Sequence, residues 1–340
     1  MTDGGWTLVT GGAGFIGSHL VEMLLGSGDR VRVLDNFVNG KRENLAETPH
    51  QDRLEVVEGT VTSRDDLAAA MKGVERVLHL SALGVRHSLH SPEENAHTNA
   101  YGTLLTLEVA RAAGVRRFVY CSSSEVYGTA RSVPMTEEHP TVPHTVYAAS
   151  KLAGDGYARA YHDSFGMETV VVRPFNVYGP RCHHEGDSGE VIPRFVLRAM
   201  ANRPLIIFGD GSQTRDFTYV TDTVRGLALA RDRDGAVGET LNIGSGQEIS
   251  INDLARLVGE VVGVPDIAIV HQPPRPGDTL RLYADASRAE RVLGFRPSVP
   301  LREGIARLVA WYRSQELTPE ELLEQEQVRS WERGTGSQRT

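Results

Sequence analysis

Val9-Thr10-Gly11-Gly12-Ala13-Gly14-Phe15-Ile16-Gly17-Ser18-His19-Leu20 is the stretch whose reading decides the fold. An apolar run, Leu8-Val9, leads into it. Leu20-Val21-Glu22-Met23-Leu24-Leu25 follows, with apolar residues at helical spacing. The glycines therefore sit on a strand-to-helix turn, the context in which a Gly-rich motif carries meaning. Gly11 permits the tight turn, Gly14 removes a side chain where a pyrophosphate must approach backbone N–H groups, and Gly17 lets helix and strand pack closely. Phe15 and Ile16 open the helix, whose unpaired donors and positive dipole end face the phosphates. The spacing is Gly-x-x-Gly-x-x-Gly, not the Gly-x-Gly-x-x-Gly of long-chain dehydrogenases. A second apolar strand, Val31–Leu34, ends at Asp35-Asn36. A carboxylate there accepts the hydroxyls of an adenosine ribose and repels a 2′-phosphate, which favours NAD over NADP.

Outward from this turn, short β-branched runs alternate with helical patterns. That alternation predicts an α/β fold, a Rossmann-type doubly wound parallel sheet, with a smaller α/β substrate domain after it. Strands are expected at Thr7–Thr10, Val31–Leu34, Leu54–Val57, Arg76–Leu80, Arg117–Cys121 and Thr169–Arg173. Helices are expected at Ser18–Leu25, Arg64–Met71, Thr98–Ala113 and Tyr147–Phe165. Ligands on such sheets collect at the carboxyl ends of the strands. The unusual segments fall there: Gly11–Gly17, Asp35-Asn36, Gly59-Thr60-Val61, Ser81–Ser88, Ser122–Gly128 and Pro174–Arg181. Residues 1–180 are expected to form the dinucleotide-binding domain, with some later segments returning to it. Residues 181–316 mainly form the substrate domain, and 317–340 a charged C-terminal tail. In the second part, helices are expected near Val191–Met200, Val220–Leu229, Ile251–Val262 and Leu301–Tyr312, and strands at Leu205–Phe208 and Thr240–Ile243.

The 340-residue chain is long enough to bury a large core. Its net charge of −8 argues against nucleic acid or an anionic membrane as partner. No stretch approaches the ~20 apolar residues of a membrane span. The first strand begins almost at once, which leaves no room for a signal peptide. The two cysteines, Cys121 and Cys182, read as reduced packing residues of a cytoplasmic protein. His183-His184-Glu185 offers no closed ligand set, and no metal is expected. It reads as a solvent-facing or lid loop.

Tyr147-Ala148-Ala149-Ser150-Lys151 places a phenol and an ammonium on one face of a helix. A free tyrosine, with a pKa near ~10, is a poor base at neutral pH. A neighbouring Lys⁺ and a nicotinamide cation both favour the phenolate, which could then take a proton from a substrate hydroxyl.

With these motifs the chain resembles the extended short-chain dehydrogenase/reductase family, and within it the nucleotide-sugar epimerases and dehydratases. The resemblance runs from about Thr7 to Tyr312. It rests on Thr10–Leu20, Val77–Ala82, Ser122–Gly128, Tyr147–Lys151, Arg173–Arg181, Asp210–Val220 and Arg275–Asp278. It implies bound NAD, a nucleoside-diphosphate sugar and a homodimer. It further implies that Ser123, Tyr147 and Lys151 are catalytic, with Ser123 on the sugar O4 and Lys151 also on the nicotinamide ribose. Thr60, Val61, Leu80, Ser81 and Ala82 would line the cofactor. Asn176 and Arg215 would contact the diphosphate, and Val191, Ile192, Ile206 and Phe208 would wall the base. Arg275 and Asp278 would clamp phosphate and nucleoside ribose. Arginine suits phosphate because its donors form a planar fork.

Two departures stand out. Thr60 replaces the aspartate that often contacts adenine. Ser123-Ser124-Glu125 is neither the Thr-Asp-Glu of dehydratases, whose acid and base remove water, nor the Thr-Ser-Glu of uronate decarboxylases. Ala82–Ser88, with Arg86, resembles the Gly-Val-Arg-aromatic-Ser run of uronate 4-epimerases. Arg181 follows Tyr178-Gly179-Pro180, where those enzymes place an arginine near the sugar carboxylate; neutral-sugar epimerases commonly have an arginine there too, so it does not decide the substrate. Ser123 and Ser124 could also bond a carboxylate. The resemblance thus implies an NAD-dependent UDP-sugar 4-epimerase, an isomerase, with UDP-glucuronate and UDP-galacturonate as the leading pair. UDP-glucuronate decarboxylase, a 4,6-dehydratase-like enzyme, and an epimerase of UDP-glucose or UDP-N-acetylglucosamine are the alternatives. A non-enzymatic NAD-binding regulator is disfavoured, because Ser123, Tyr147 and Lys151 are all present.

Overall fold

The computed structural model describes residues 5–46, 48–186, 188–275 and 277–329. Its centre is a sheet of seven parallel strands: β1 (Trp6–Thr10), β2 (Val31–Asp35), β3 (Leu54–Glu58), β4 (Val74–His79), β5 (Arg117–Cys121), β6 (Glu168–Pro174) and β7 (Thr240–Ile243). The spatial order is β7-β6-β5-β4-β1-β2-β3. Both faces are covered, and alternate side chains of one strand enter different cores. Val9, Leu78, Val119, Val170 and Val172 join one cluster, and Leu8, Val77, Phe118 and Val171 the other. This is the period of two that a doubly covered strand must show.

The helices that matter below are α1 (Phe15–Gly26), α2 (Arg64–Ala70), α3 (Gly102–Ala112), α4 (Val146–Phe165), α5 (Val191–Met200), α6 (Val220–Asp232), α7 (Ile251–Val262), α8 (Leu301–Arg313) and α9 (Pro319–Leu323). The helix expected from Thr98 begins instead with a turn at Pro92–Ala96 and a wide turn at His97–Tyr101, and only then continues as α3. β7 completes the dinucleotide sheet from far along the chain, pairing Leu241 with Val172 and Ile243 with Pro174. Outside the central sheet the chain forms short strand pairs, such as Leu205–Phe208 beside Ile269–Gln272. The segment from Leu317, expected as a tail, is docked in its described part. α9 buries Leu322 and Leu323 in the main core. Residues 330–340 lie outside the described residues.

Side chains lock the crossing of β1 and β4, directly under the Gly-rich turn. Thr103 donates its hydroxyl proton to the Asn99 carbonyl (2.6 Å), so it can only accept from His79 Nε2 (3.1 Å). His79 Nδ1 must then accept from Thr10 (2.8 Å), whose oxygen accepts from the N–H groups of Leu80 and Ser81 (3.2 and 3.3 Å). The imidazole is neutral, and burial, with Lys151 adding to it, depresses its pKa to about 3. Below the ordinary histidine value of 6.5 the unfolded chain binds a proton that the folded chain refuses. The stability contributed by neutral His79 is therefore complete above pH 6.5 and is lost as pH falls toward 3. Urea midpoints measured across this range are expected to fall with pH. The fall should be shallower in His79→Gln.

Candidate active site

One cavity of about 520 Å³ opens along the carboxyl edge of the sheet and runs on to Val191–Arg198, Ile206–Phe208 and Arg275. At its floor α1 begins at Gly14 with no side-chain cap and no acid in its first turn. Its first N–H groups and dipole are left to face a ligand. A Cβ on Gly17 would sit 2.1 Å from the Gly11 carbonyl oxygen, so only glycine lets the helix start this close to the turn. A Cβ on Gly14 would have only that same oxygen nearby, at 3.3 Å, and would otherwise project into ligand space. Asp35 accepts from Ala13 N–H (3.0 Å) and Phe37 N–H (2.8 Å). It thereby ties the turn to the loop beyond β2, and burial raises its pKa. Phe15, Ile16, Asn36, Val61, Leu80, Ser81 and Ala82 complete this half of the cavity. Thr60 lines it too, but its hydroxyl is engaged with Thr62 (3.0 Å) and its N–H with Asp66 of α2 (2.9 Å). An uncapped helix start, a ribose-seeking carboxylate and an apolar slot fit a dinucleotide.

Tyr147 and Lys151 project from α4, whose first turn is capped by Thr145 accepting from Ala148 N–H (3.2 Å). Burial pushes the Tyr147 phenol well above its ordinary value. A hydrogen bond with Ser123 opposes this, whereas Cys121, Glu125 and Glu190 reinforce it. Lys151 lines the same cavity. Its ammonium donates to the Cys121 carbonyl (2.6 Å) and lies 4.7 Å from the Tyr120 ring centre. Burial, more than the neighbouring charges, thus favours the protonated phenol in the protein by itself. Ser123 caps the turn Ser124–Tyr127, accepting from Glu125 N–H (3.2 Å). Glu125 in turn accepts from Thr279 (3.3 Å).

The far half of the cavity is cationic. Arg215 and Arg275 both donate to Asp278 Oδ1, each at 2.7 Å. Asp278 therefore orients the two guanidiniums. Asn176 lines the same region, its side-chain oxygen buried without a partner. Val191, Ile192, Ile206 and Phe208 form the apolar end. Arg86 rides on a loop clamped by two buried asparagines. Leu83 N–H donates to Asn99 (2.8 Å), and Asn95 donates to the Leu83 and Gly84 carbonyls (3.1 and 3.0 Å). Burial, with Arg275 and Arg194 nearby, lowers the Arg86 pKa to about 9. Mutually repelling cations in a desolvated cleft make a strong site for a polyanion.

One expected site residue is elsewhere. Arg181 adopts a left-handed backbone (φ 66°), which turns its side chain back onto α1. There it donates to Glu22 (2.5 Å) and Ser18 (3.2 Å). It does not line the cavity, so it cannot meet a sugar carboxylate there. His183, His184 and Glu185 do not form a free loop either. Glu185 pairs with Lys41 (2.7 Å) and with both histidines. Glu190, Arg194 and Arg198 are cavity residues that the motifs did not reveal. Burial raises the Glu190 pKa to about 7. The spacing of Arg194 and Arg198 from Val191 is the one signal that could have found them.

The parallel sheet, the Gly-rich turn and the Tyr147/Lys151 helix define the class of nucleotide-binding dehydrogenase/reductase folds. Residues 8–308 match the family described as GDP-mannose 4,6 dehydratase, and the chain belongs to that family of nucleotide-sugar epimerases and dehydratases. It is 41% identical to a UDP-glucose 4-epimerase of Mycolicibacterium smegmatis, over 91% of this chain and 98% of the relative. It is 36% identical to UDP-glucuronic acid decarboxylase 1 of Arabidopsis thaliana, over 92% and 71%. Among solved structures, a dTDP-glucose 4,6-dehydratase of Streptomyces venezuelae with NAD bound superposes with a TM-score of 0.86 at 37% identity, over 91% and 97%. The UDP-glucuronic acid 4-epimerase of Bacillus cereus, in complex with UDP-glucuronic acid and NAD, gives 0.84 at 31%, over 90% and 98%.

Removing Asp35 should unfasten the turn and expose the cofactor site. Charged hydrogen bonds of this kind are worth ~1.5–3 kcal/mol. Asp35→Ala is therefore expected to bind NAD at least about tenfold more weakly in fluorescence titration.

Proposed function

We propose that this protein is an NAD-dependent UDP-sugar 4-epimerase, an isomerase, with UDP-glucuronate and UDP-galacturonate as its leading substrate pair. The observation that supports it best is the set of groups around the phenol. Ser123, Tyr147 and Lys151 share one cavity, whereas Ser124 supplies no acid for water loss and Glu125 is occupied by Thr279. Bound NAD would supply the two-electron acceptor and donor for C4 and, when oxidised, a positive charge that favours the phenolate. The chain supplies the rest. Tyr147 takes the O4 proton and later returns it. Ser123 hydrogen-bonds O4 in both poses. Arg215 and Arg275 hold the diphosphate while the 4-keto sugar turns over between them and Tyr147. The cycle is redox-neutral.

Arg86, a cavity cation on the Gly-Val-Arg run, supports a uronate. A second reading, a neutral sugar such as UDP-glucose, is favoured by two findings: Arg181 is withdrawn to α1, and the cavity holds the Glu190 carboxyl. We also propose a homodimer through the α3/α4 side of the sheet, where Tyr101, Val146 and Phe165 are exposed.

NMR of the protein with UDP-glucuronate, without added reductant, tests the reading. UDP-galacturonate is expected, without CO₂ or net NADH. UDP-xylose would mean decarboxylation, and an unchanged spectrum would move the assignment to UDP-glucose or UDP-N-acetylglucosamine. Tyr147→Phe is expected to lower kcat by ~10²–10⁴-fold with NAD still bound. Undiminished turnover would remove Tyr147 from the mechanism.

A further inference from the structure

We infer that the C-terminal segment Thr318–Val328 is a working wall of the sugar-nucleotide site, holding α5 and the loop before it in place through the Glu326–Arg198 pair. The inference rests on the reading that this cavity takes a nucleoside diphosphate sugar.

Four independent contacts build the wall. First, α9 is anchored. Thr318 accepts from Glu321 N–H (3.3 Å), and the Glu321 carboxylate accepts from Thr318 N–H (2.7 Å). Leu322 and Leu323 are buried against the core that α5 also enters. Second, the chain beyond α9 runs beside Gly186. Gly186 N–H donates to the Gln325 carbonyl (3.1 Å), and Gly186 and Glu326 form a parallel bridge. Third, Glu326 grips Arg198 with both carboxylate oxygens, at 3.0 Å from Nε and 2.6 Å from a terminal nitrogen. These side chains are only 8% and 12% exposed. A two-pronged pair so shielded from water is directional, and losing either partner strands a charge. Fourth, Glu326 and Val328 themselves line the cavity, together with Arg198.

The helical spacing explains why this matters for a ligand. Val191, Arg194, Phe195 and Arg198 share one face of α5, and that face is the cavity wall. Arg194 donates to the Gly186 carbonyl (2.9 Å), so helix, loop and C-terminal segment are fastened together. At its opposite side the loop is held by the Glu185–Lys41 pair, and Lys41 N–H donates to Ala13 on the Gly-rich turn (3.0 Å). The loop is therefore strung between the dinucleotide turn and the C-terminal segment. Releasing the C-terminal end loosens the base wall at Val191 and Ile192. It leaves Tyr147, Lys151 and Ser123 on their own supports, α4 and the end of β5. Glu326 is thus a positioning residue. Its loss should act on binding rather than on the chemical step.

The test uses the full-length NAD-loaded protein, with UDP as the probe. Glu326→Ala is expected to raise the Kd for UDP about tenfold by titration calorimetry, and to raise KM for the sugar nucleotide in parallel. The kcat should stay within about twofold and the NAD content should be unchanged. Glu326→Gln, which keeps the shape and loses the charge, should fall between. Exchanging the partners, Arg198→Glu with Glu326→Arg, should recover most of the UDP affinity. A role confined to stability would move the melting temperature but not the KM-against-kcat split. UDP binding by the wild-type protein with a Kd within twofold in both Glu326 variants would overturn this inference alone. So would failure of the exchanged pair to recover affinity. Absence of UDP binding in the wild-type protein would overturn it together with the nucleotide-sugar reading.

Discussion

Arg173 at the end of β6 and Asp155 in the middle of α4 form the pair on which the placing of Tyr147 and Lys151 depends. Arg173 donates to Asp155 from Nε (2.9 Å) and from a terminal nitrogen (2.8 Å), with both side chains out of water. Asp155 follows Tyr147 and Lys151 at intervals of four, so all three share one helix face. Pinning Asp155 sets the rotation and the depth of that face against the sheet. The same guanidinium donates to Tyr127 (2.8 Å), and Tyr127 donates to Asn242 of β7 (2.7 Å). One network thus ties α4, the Ser123 turn and two strands. Breaking a buried pair of this kind costs ~3–5 kcal/mol, because it leaves a charge with no partner.

Around that scaffold, charge is distributed by need. The dinucleotide half of the cavity has few charges, and its phosphate seat is backbone N–H groups at an uncapped helix start. The other half is crowded with guanidiniums, two of them drawn together and aimed by Asp278. A cofactor kept through the cycle suits a preformed backbone seat. A substrate that must enter and leave suits side chains whose charge awaits a polyanion.

Much of this was readable in residue order. The six expected strands of the dinucleotide sheet and the four helices among them are present, with boundaries moved by a few residues. The reason is that β-branched runs and helical apolar spacing report burial, and the sheet buries both faces. Every expected cofactor residue lines the cavity, because the motifs encode backbone geometry local to each turn. Arg181 shows the limit. Its place after Tyr-Gly-Pro suggested a sugar contact, but one left-handed residue sends the guanidinium to Glu22 instead. Lys151 lies on the expected helix face and in the cavity, and its ammonium donates a hydrogen bond to the Cys121 carbonyl, a partner that residue order does not show.

What the sequence determined by itself is therefore the fold class, the Gly-rich turn with Asp35, and the shared helix face of Tyr147 and Lys151, since these follow from local patterns of residues. The tertiary structure alone decided that Arg181 leaves the cavity, that Glu190 enters it, and that Glu326 closes its wall. Those outcomes are set by ion pairs and burial between segments far apart in the chain. Coulombic and desolvation energies depend on distance in space, and residue order carries no record of that.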